Sequence, residues 1–207
     1  MRLLALISGG IDSPVAAWRM RQLGHEVSFV HFHNYTPQQA AVRQKVIDLV
    51  KVIGGGRLWM VPFRNIQLEV VKNVPAKYRM IVYRRLMHMI ACELARKEEA
   101  AALVTGDNLA QVASQTLDNM FVINAASPLP VFRPLLGAEK NDTVNTAKKI
   151  GTYELSIQPY SDCCTFMVAE RPETHAELSM IEQLEKGMDM QELVTEAVTA
   201  AELIEVA

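Results

Sequence analysis

The sequence predicts an α/β protein, a doubly wound and mainly parallel sheet with helices on both faces, and three observations carry that expectation. Short apolar runs alternate along the chain with longer stretches of helical apolar spacing. The first run, Leu3 to Ile7, is apolar at consecutive positions rather than alternate ones, as in strands buried on both faces of a parallel sheet. Three runs end in polar or glycine-rich turns, and ligands of such sheets gather at the carboxyl ends of strands. Strand, helix, strand in this order closes through right-handed crossovers.

In chain order, Leu3 to Ile7 is the first strand and meets Ser8-Gly9-Gly10. A helix follows at once, with Pro14 in its first turn, Ser13 or Asp12 as cap, Val15, Ala16, Trp18 and Leu23 on its apolar face, and Gly24 as stop. Val27 to Phe32 is a second strand ending at His31-Phe32-His33, and Gln38 to Ile53 a second helix closed by Gly54, Gly55 and Gly56. Leu58 to Phe63 is a third strand, and Tyr78 to Lys97 a long helix with Ile81, Val82, Leu86, Met89 and Ile90 inward. Ala101 to Thr105 is a fourth strand, ending at Gly106-Asp107-Asn108. Asn108 to Met120 reads as a helix, with Leu109, Val112, Ala113, Thr116 and Leu117 at helical spacing. Val131 to Leu136 is a fifth strand interrupted by Pro134, and Glu139 to Ile150 a helix stopped by Gly151. Gln158 to Arg171 is a loop holding Cys163-Cys164. Capping boxes at Thr174 with Glu177 and at Asp189 with Glu192 open two further helices.

The chain has 207 residues, half of them apolar, enough for one sizeable core and short for two. The expected organisation is one domain over 1–207, with 172–207 as an acidic helical extension. No run of about eighteen apolar residues could cross a bilayer, and the first strand meets its glycine pair too soon for a signal peptide. A cytosolic chain with no membrane partner is expected. Three cysteines exclude a disulfide framework, and in a reducing compartment the pair Cys163-Cys164 reads as chemistry, while Cys92 stands alone in a helix. Residues 170–207 carry ten acidic side chains against Arg171 and Lys186, a balance of -8, and residues 1–169 carry 19 basic against 13 acidic, a balance of +6. The basic body is compatible with a polyanion and equally with ordinary solvated faces.

Ser8-Gly9-Gly10-Ile11-Asp12-Ser13 lies between a buried strand and a helix, where backbone amides and a positive helix end hold anions. Gly9 and Gly10 let the main chain approach phosphate oxygens, and Ser8 and Ser13 bring hydroxyls. A carboxylate beside phosphates is repulsive unless a divalent cation lies between them, so Asp12 argues for magnesium (Mg2+) and for chemistry between the α and β phosphates.

The string Ser8 to Ser13 resembles the signature of the PP-loop ATP pyrophosphatases, whose fold is adenine nucleotide alpha hydrolase-like. More of the chain is similar to one family within that class, the ThiI tRNA 4-thiouridine synthetases. The resemblance rests on Ser8 to Ala16, His31-Phe32-His33, Arg84-Arg85, Gln111 to Asp118, Arg133-Pro134-Leu135, Ile150 to Tyr153 and Asp162-Cys163-Cys164-Thr165, in order over nearly the whole chain. It implies an enzyme that adenylates a uridine with ATP and replaces its 4-oxygen with sulfur. It also implies contacts to adenine and ribose from Leu6, Ile7, His31 and Phe32, with Arg84, Gly106 and Gln115 completing the nucleotide site. The residues alone leave Leu6 and Ile7 as core in any such fold, Arg85 as a substitute for Arg84, and His31 as a core histidine. His25, His33, His88 and His175 have no metal-ligand spacing and read as structural or surface residues.

The resemblance further implies a cysteine that assists sulfur transfer from a persulfide or sulfide donor, matching Cys164, with Cys163 as its neighbour. An unperturbed thiol has a pKa of about 8.5, so a nearby cation such as Arg133 or Arg171 would raise the thiolate fraction. Members of the family carry a ferredoxin-like region and a THUMP domain that grips tRNA, and some a rhodanese domain. This sequence matches the catalytic domain without them, so a separate THUMP protein is the expected carrier of the tRNA. A homodimer and an iron–sulfur cluster both stay open. The alternatives are an ammonia-dependent amide-forming ligase, and sulfur transfer in thiazole synthesis for thiamine.

Overall fold

The computed structural model describes residues 1–34, 39–159 and 167–207. Six strands form one sheet: β1 (Arg2–Leu6), β2 (Glu26–His33), β3 (Gly56–Pro62), β4 (Ala102–Val104), β5 (Val131–Phe132) and β6 (Glu202–Val206), in the order β5-β4-β1-β2-β3-β6. The pairs among β1 to β5 are parallel, and β6 runs antiparallel to β3. The sequence steps from β1 outward to β3, then crosses to β4 on the other side. The carboxyl ends of β1 and β4 therefore flank the switch point of a doubly wound sheet, as the sequence predicts.

Alternation along the strands divides the core. Leu3, Ala5, Phe29 and Leu58 face α1 (Asp12–Gln22), α2 (Gln39–Val52) and α6 (Lys140–Lys149), whereas Leu4, Val30 and Val61 face α3 (Arg64–Asn73), α4 (Arg79–Lys97) and α5 (Leu117–Asn124). Ile81, Val82, Leu86 and Ile90 of α4 are buried, with Met89 partly so, because an apolar stripe of helical spacing must lie against the sheet. A short helix α7 (Tyr153–Ser156) and two C-terminal ones, α8 (Leu178–Glu185) and α9 (Met190–Thr199), complete the layers among the described residues.

Several expectations need correction. Asn108 to Met120 is not a helix: residues 108–112 are irregular, Ala113–Gln115 is one 3-10 turn, and α5 begins only at Leu117. Backbone and side-chain donors are spent elsewhere. Asn108 Nδ2 donates to Ala138 O at 2.7 Å, Leu109 N to Leu136 O at 3.1 Å, and Ala110 has a positive φ. Thr116 then caps α5, accepting from Asn119 N. Leu109, Val112 and Leu117, spaced like a buried stripe, are exposed.

Helix α3 was not foreseen between the third strand and the long helix. The Thr174–Glu177 box does not form: Glu177 precedes α8 without a side-chain cap, and Thr174 O accepts from Thr116 Oγ1 at 2.7 Å. Asp189 does cap α9, accepting from Glu192 N. Neither Ser13 nor Asp12 caps α1, whose side-chain cap is absent and whose first residue is Asp12.

The end of the chain departs most from a helical extension, because residues 202–206 form β6. Of the three glycines after α2, Gly55 makes room for it. A Cβ on Gly55, at φ +68°, would meet Val206 O at 2.5 Å. Ile181, Val194 and Ala197 of α8 and α9 are buried in the same core as α4.

Candidate nucleotide site at the switch point

A cavity of about 400 Å³ opens at the carboxyl ends of β1, β2 and β4. Leu6, Ile7, Ser8, Gly10, Asp12 and Ser13 line it from the first strand and turn. His31 and Phe32 line it from β2, Arg84 from α4, and Gly106 and Gln115 from the stretch after β4. Gly9 is buried within the turn. Residues more than a hundred positions apart in sequence thus share one crevice. Cys163 and Cys164 lie outside the described residues, and Cys92 is buried with Sγ 3.3 Å from Ser127 Oγ.

The turn is held by its own serines. Ser8 N donates to Ser13 Oγ at 2.8 Å, the two hydroxyl oxygens are 3.1 Å apart, and Gly10 N donates to Ser8 Oγ at 3.3 Å. These hydroxyls therefore set the shape of the turn at the positive end of α1, where the free amides of a first helical turn attract anions. Lys140, at the start of α6, reaches Asp12 with Nζ 2.8 and 3.0 Å from the carboxylate oxygens. The sequence carried no signal for Lys140, which lies 128 residues away from its partner.

Gly106 serves the fold before it serves a ligand. A Cβ there would meet Ser13 N at 2.6 Å and Ser13 Cα at 2.8 Å, so only glycine lets the end of β4 touch the start of α1. Gly106→Ala is expected to lower stability by about 1–3 kcal/mol through overpacking. Urea denaturation measures it, and an unchanged midpoint would contradict the close approach.

His31 is buried, and its Nδ1 lies 2.8 Å from Ile7 O. A carbonyl only accepts, so Nδ1 carries the proton and the ring ties β1 to β2. Arg84 and Arg85, adjacent in sequence, point apart as helical neighbours must. Arg84 lines the cavity, whereas Arg85 is buried against Glu185 of α8, with Nε to Oε1 2.6 Å and Nη2 to Oε2 2.9 Å. Arg85 is therefore not the residue facing the cavity.

Asp107 was noticed in the sequence only as part of a polar turn. It is 3% exposed and accepts from Arg84 Nη2 at 2.5 Å, Thr105 Oγ1 at 2.8 Å and Gln115 Nε2 at 3.3 Å. Arg133 Nε is 3.4 Å from its other oxygen, so the Arg133 charge is directed at Asp107. Burial alone would raise the pKa of Asp107, but Arg84, the Thr105 hydroxyl and the neighbouring cations bring it down to about 2. Beside it His88, read from sequence as structural or surface, is fully buried in the cavity wall. Burial, reinforced by Arg84, lowers its pKa to about 3 and keeps it neutral.

A doubly wound sheet whose switch-point crevice carries a serine-glycine turn, a carboxylate and a guanidinium has the fold of the PP-loop ATP pyrophosphatase-like class. Within that class the chain belongs to the family whose model, "Thiamine biosynthesis protein (ThiI)", matches residues 1–190. It is similar to proteins described as "Probable tRNA sulfurtransferase". The one from Caldanaerobacter subterraneus subsp. tengcongensis is 46% identical over 195 residues, 91% of this chain and 51% of that protein. Those from Acetivibrio thermocellus and Thermus thermophilus are 45% and 44% identical over 98% of this chain, and 53% and 51% of theirs. The chain spans about half the length of the curated relatives it matches. Among solved structures, a 4-thiouridine synthetase–RNA complex with bound ATP superposes with a TM-score of 0.92 at 40% identity, covering 100% of this chain and 55% of that one. An NMN synthetase from Francisella tularensis, at 12% identity and a TM-score of 0.59 over 95% of this chain and 83% of its own, shares the fold alone.

Proposed function

We propose that this domain binds ATP in the switch-point crevice, adenylates the 4-oxygen of a tRNA uridine with release of pyrophosphate, and supports replacement of the adenylated oxygen by sulfur. The observation that carries this is the convergence on one cavity of the serine-glycine turn, Asp12 and Arg84. Membership of the ThiI family and 40% identity to a synthetase that binds ATP and RNA support it.

The turn and the first amides of α1 are suited to hold the phosphates, and Phe32 and Leu6 offer apolar surface to the base. Leu6, Ile7, His31, Phe32, Arg84, Gly106 and Gln115 are the proposed nucleoside and phosphate contacts. Among the described residues no three acidic, histidine or cysteine side chains cluster to hold a metal. Asp12 fits magnesium in its usual manner, as one carboxylate beside phosphate oxygens and water. When bound there, the ion would neutralise charge on the phosphates. Lys140 is placed to balance Asp12 and to offer its ammonium to a phosphate oxygen.

In the second step a sulfur nucleophile attacks C4 of the uridine and AMP leaves. Cys164, with Cys163 beside it, is the proposed handler of that sulfur, drawn from a persulfide or sulfide donor. The RNA held by the similar 4-thiouridine synthetase supports tRNA as the acceptor, and delivery by a THUMP-containing partner is proposed with it. No helix among the described residues is long and apolar enough to cross a membrane.

Nucleoside analysis of tRNA from a strain lacking the coding region is the test. Loss of 4-thiouridine, restored by this gene and not by an Asp12→Ala version, is expected. Undiminished 4-thiouridine would contradict the assignment, and a lasting thiamine requirement instead would favour thiazole synthesis.

A further inference from the structure

Asp107 holds an unusual concentration of partners for one carboxylate: Arg84, the Thr105 hydroxyl and the Gln115 amide donate to it, and Arg133 faces it as an ion pair. Its ionised form only accepts hydrogen bonds, and that dictates how Gln115 lies. With the oxygen of the amide turned to the carboxylate, the two would repel, so Nε2 must face Asp107, as the 3.3 Å contact has it. The other end of the amide is then fixed as well. Gln115 Oε1 has no partner among the described residues, although the side chain is only 8% exposed and the residue lines the cavity. Native structures rarely leave a buried acceptor without a donor unless a ligand or water supplies one.

We propose that Asp107 is a positioning residue, which orients Arg84 and turns the Gln115 amide so that Oε1 accepts a hydrogen bond from the nucleoside part of the ligand. The donor is the 6-amino group of adenine or a ribose hydroxyl, and either selects a nucleotide by a group a close analogue lacks. This rests on the nucleotide reading of the crevice. It goes further by naming what reads the nucleoside and what holds the reader in place.

Electrostatics and positioning make opposite forecasts for Asp107→Asn. The substitution leaves two guanidiniums facing a neutral amide, which by charge alone would draw an anionic nucleotide in more strongly. An asparagine can offer either end to Gln115, so the orientation of both the amide and Arg84 is lost.

The experiment measures equilibrium binding of ATP, inosine triphosphate and 2′-deoxy-ATP to the whole chain by calorimetry, with magnesium and without any acceptor. The wild type is expected to prefer ATP to one of the two analogues by about tenfold or more, and the analogue disfavoured identifies the donor. Asp107→Asn is expected to weaken ATP binding about tenfold and to erase the preference. Gln115→Met, which removes the acceptor at similar volume and leaves Asp107 its arginines, is expected to erase the same preference, so the inference stays testable if Asp107→Asn fails to fold. The double variant should bind no more weakly than Asp107→Asn alone, because the two act on one contact. ATP binding by Asp107→Asn that is equal or tighter with the preference intact, or an intact preference in Gln115→Met, overturns the proposal while leaving the nucleotide site in place. A wild type that binds none of the three nucleotides overturns both.

Discussion

Asp12→Ala is expected to abolish pyrophosphate release and thiolation together, whereas Cys164→Ser keeps the first and loses the second. The carboxylate of Asp12 stands at the serine-glycine turn, engaged by Lys140, and its loss removes the proposed magnesium contact and leaves the ammonium without its partner. A fall on the order of 10²–10³ in adenylation follows from deleting one preorganised electrostatic group at a reacting phosphate. Thiolation falls with it, since the second step consumes the product of the first. In the proposed sequence of steps Cys164 acts only after adenylation, so its serine variant should still form AMP-activated uridine and release pyrophosphate in a first turnover. Pyrophosphate and 4-thiouridine are measured in parallel with a persulfide donor, because sulfide can bypass the cysteine. Full thiolation by Cys164→Ser with that donor would move the role to Cys163 or to an external carrier.

The second large effect concerns stability. Arg85 joins α4 to α8 through a buried bidentate pair with Glu185, and its Nη1 donates to Val122 O at 2.6 Å. Arg85→Met removes one member and leaves Glu185 buried as an uncompensated charge, at a cost of about 3–5 kcal/mol. For a domain of this size the melting temperature should fall by about 10 °C or more. The double variant Arg85→Met with Glu185→Leu should recover most of the loss, since an apolar pair can replace a buried ion pair at little net cost. A single variant that melts like the wild type would show that the pair contributes nothing. A double variant as unstable as the single would show that packing, not charge, sets the penalty.

What the sequence revealed and what it hid have separable physical causes. Periodicity marks elements whose side chains decide their burial, and so β1, β2, α2 and α4 were legible, while α1 meets the sheet with Val15, Ala16 and Trp18 but leaves Leu23, just past its end, exposed. The stretch 108–116 shared that spacing but not that fate. Asn108 and Leu109 found partners in residues 136–138, and apolar spacing cannot register a competing hydrogen bond. The strand β6 hid in an acidic tail because it is a five-residue edge strand in which only Val206 is buried, and its one trace was Gly55, where a Cβ would meet Val206 O.

The site divides in the same way. The serine-glycine turn and Asp12 were legible as cavity-lining residues because one contiguous string puts a glycine pair, two serines and a carboxylate at a single strand-to-helix turn. Asp107, His88 and Lys140 were not, since each owes its place to tertiary neighbours: Asp107 to two arginines, His88 to burial on α4, and Lys140 to the docking of α6 beside α1. The choice between Arg84 and Arg85 likewise needed the helix in place, where one faces the crevice and the other α8.

Cleavage of ATP between its α and β phosphates, to activate a uridine of tRNA, is the proposed chemistry of the crevice. Its most direct test follows ATP labelled at the α phosphate through incubation with magnesium, unmodified tRNA and the THUMP-containing partner. AMP and pyrophosphate are expected in amounts that match the 4-thiouridine formed when a persulfide donor is present. Release of ADP and inorganic phosphate, or AMP formation indifferent to tRNA, would contradict it.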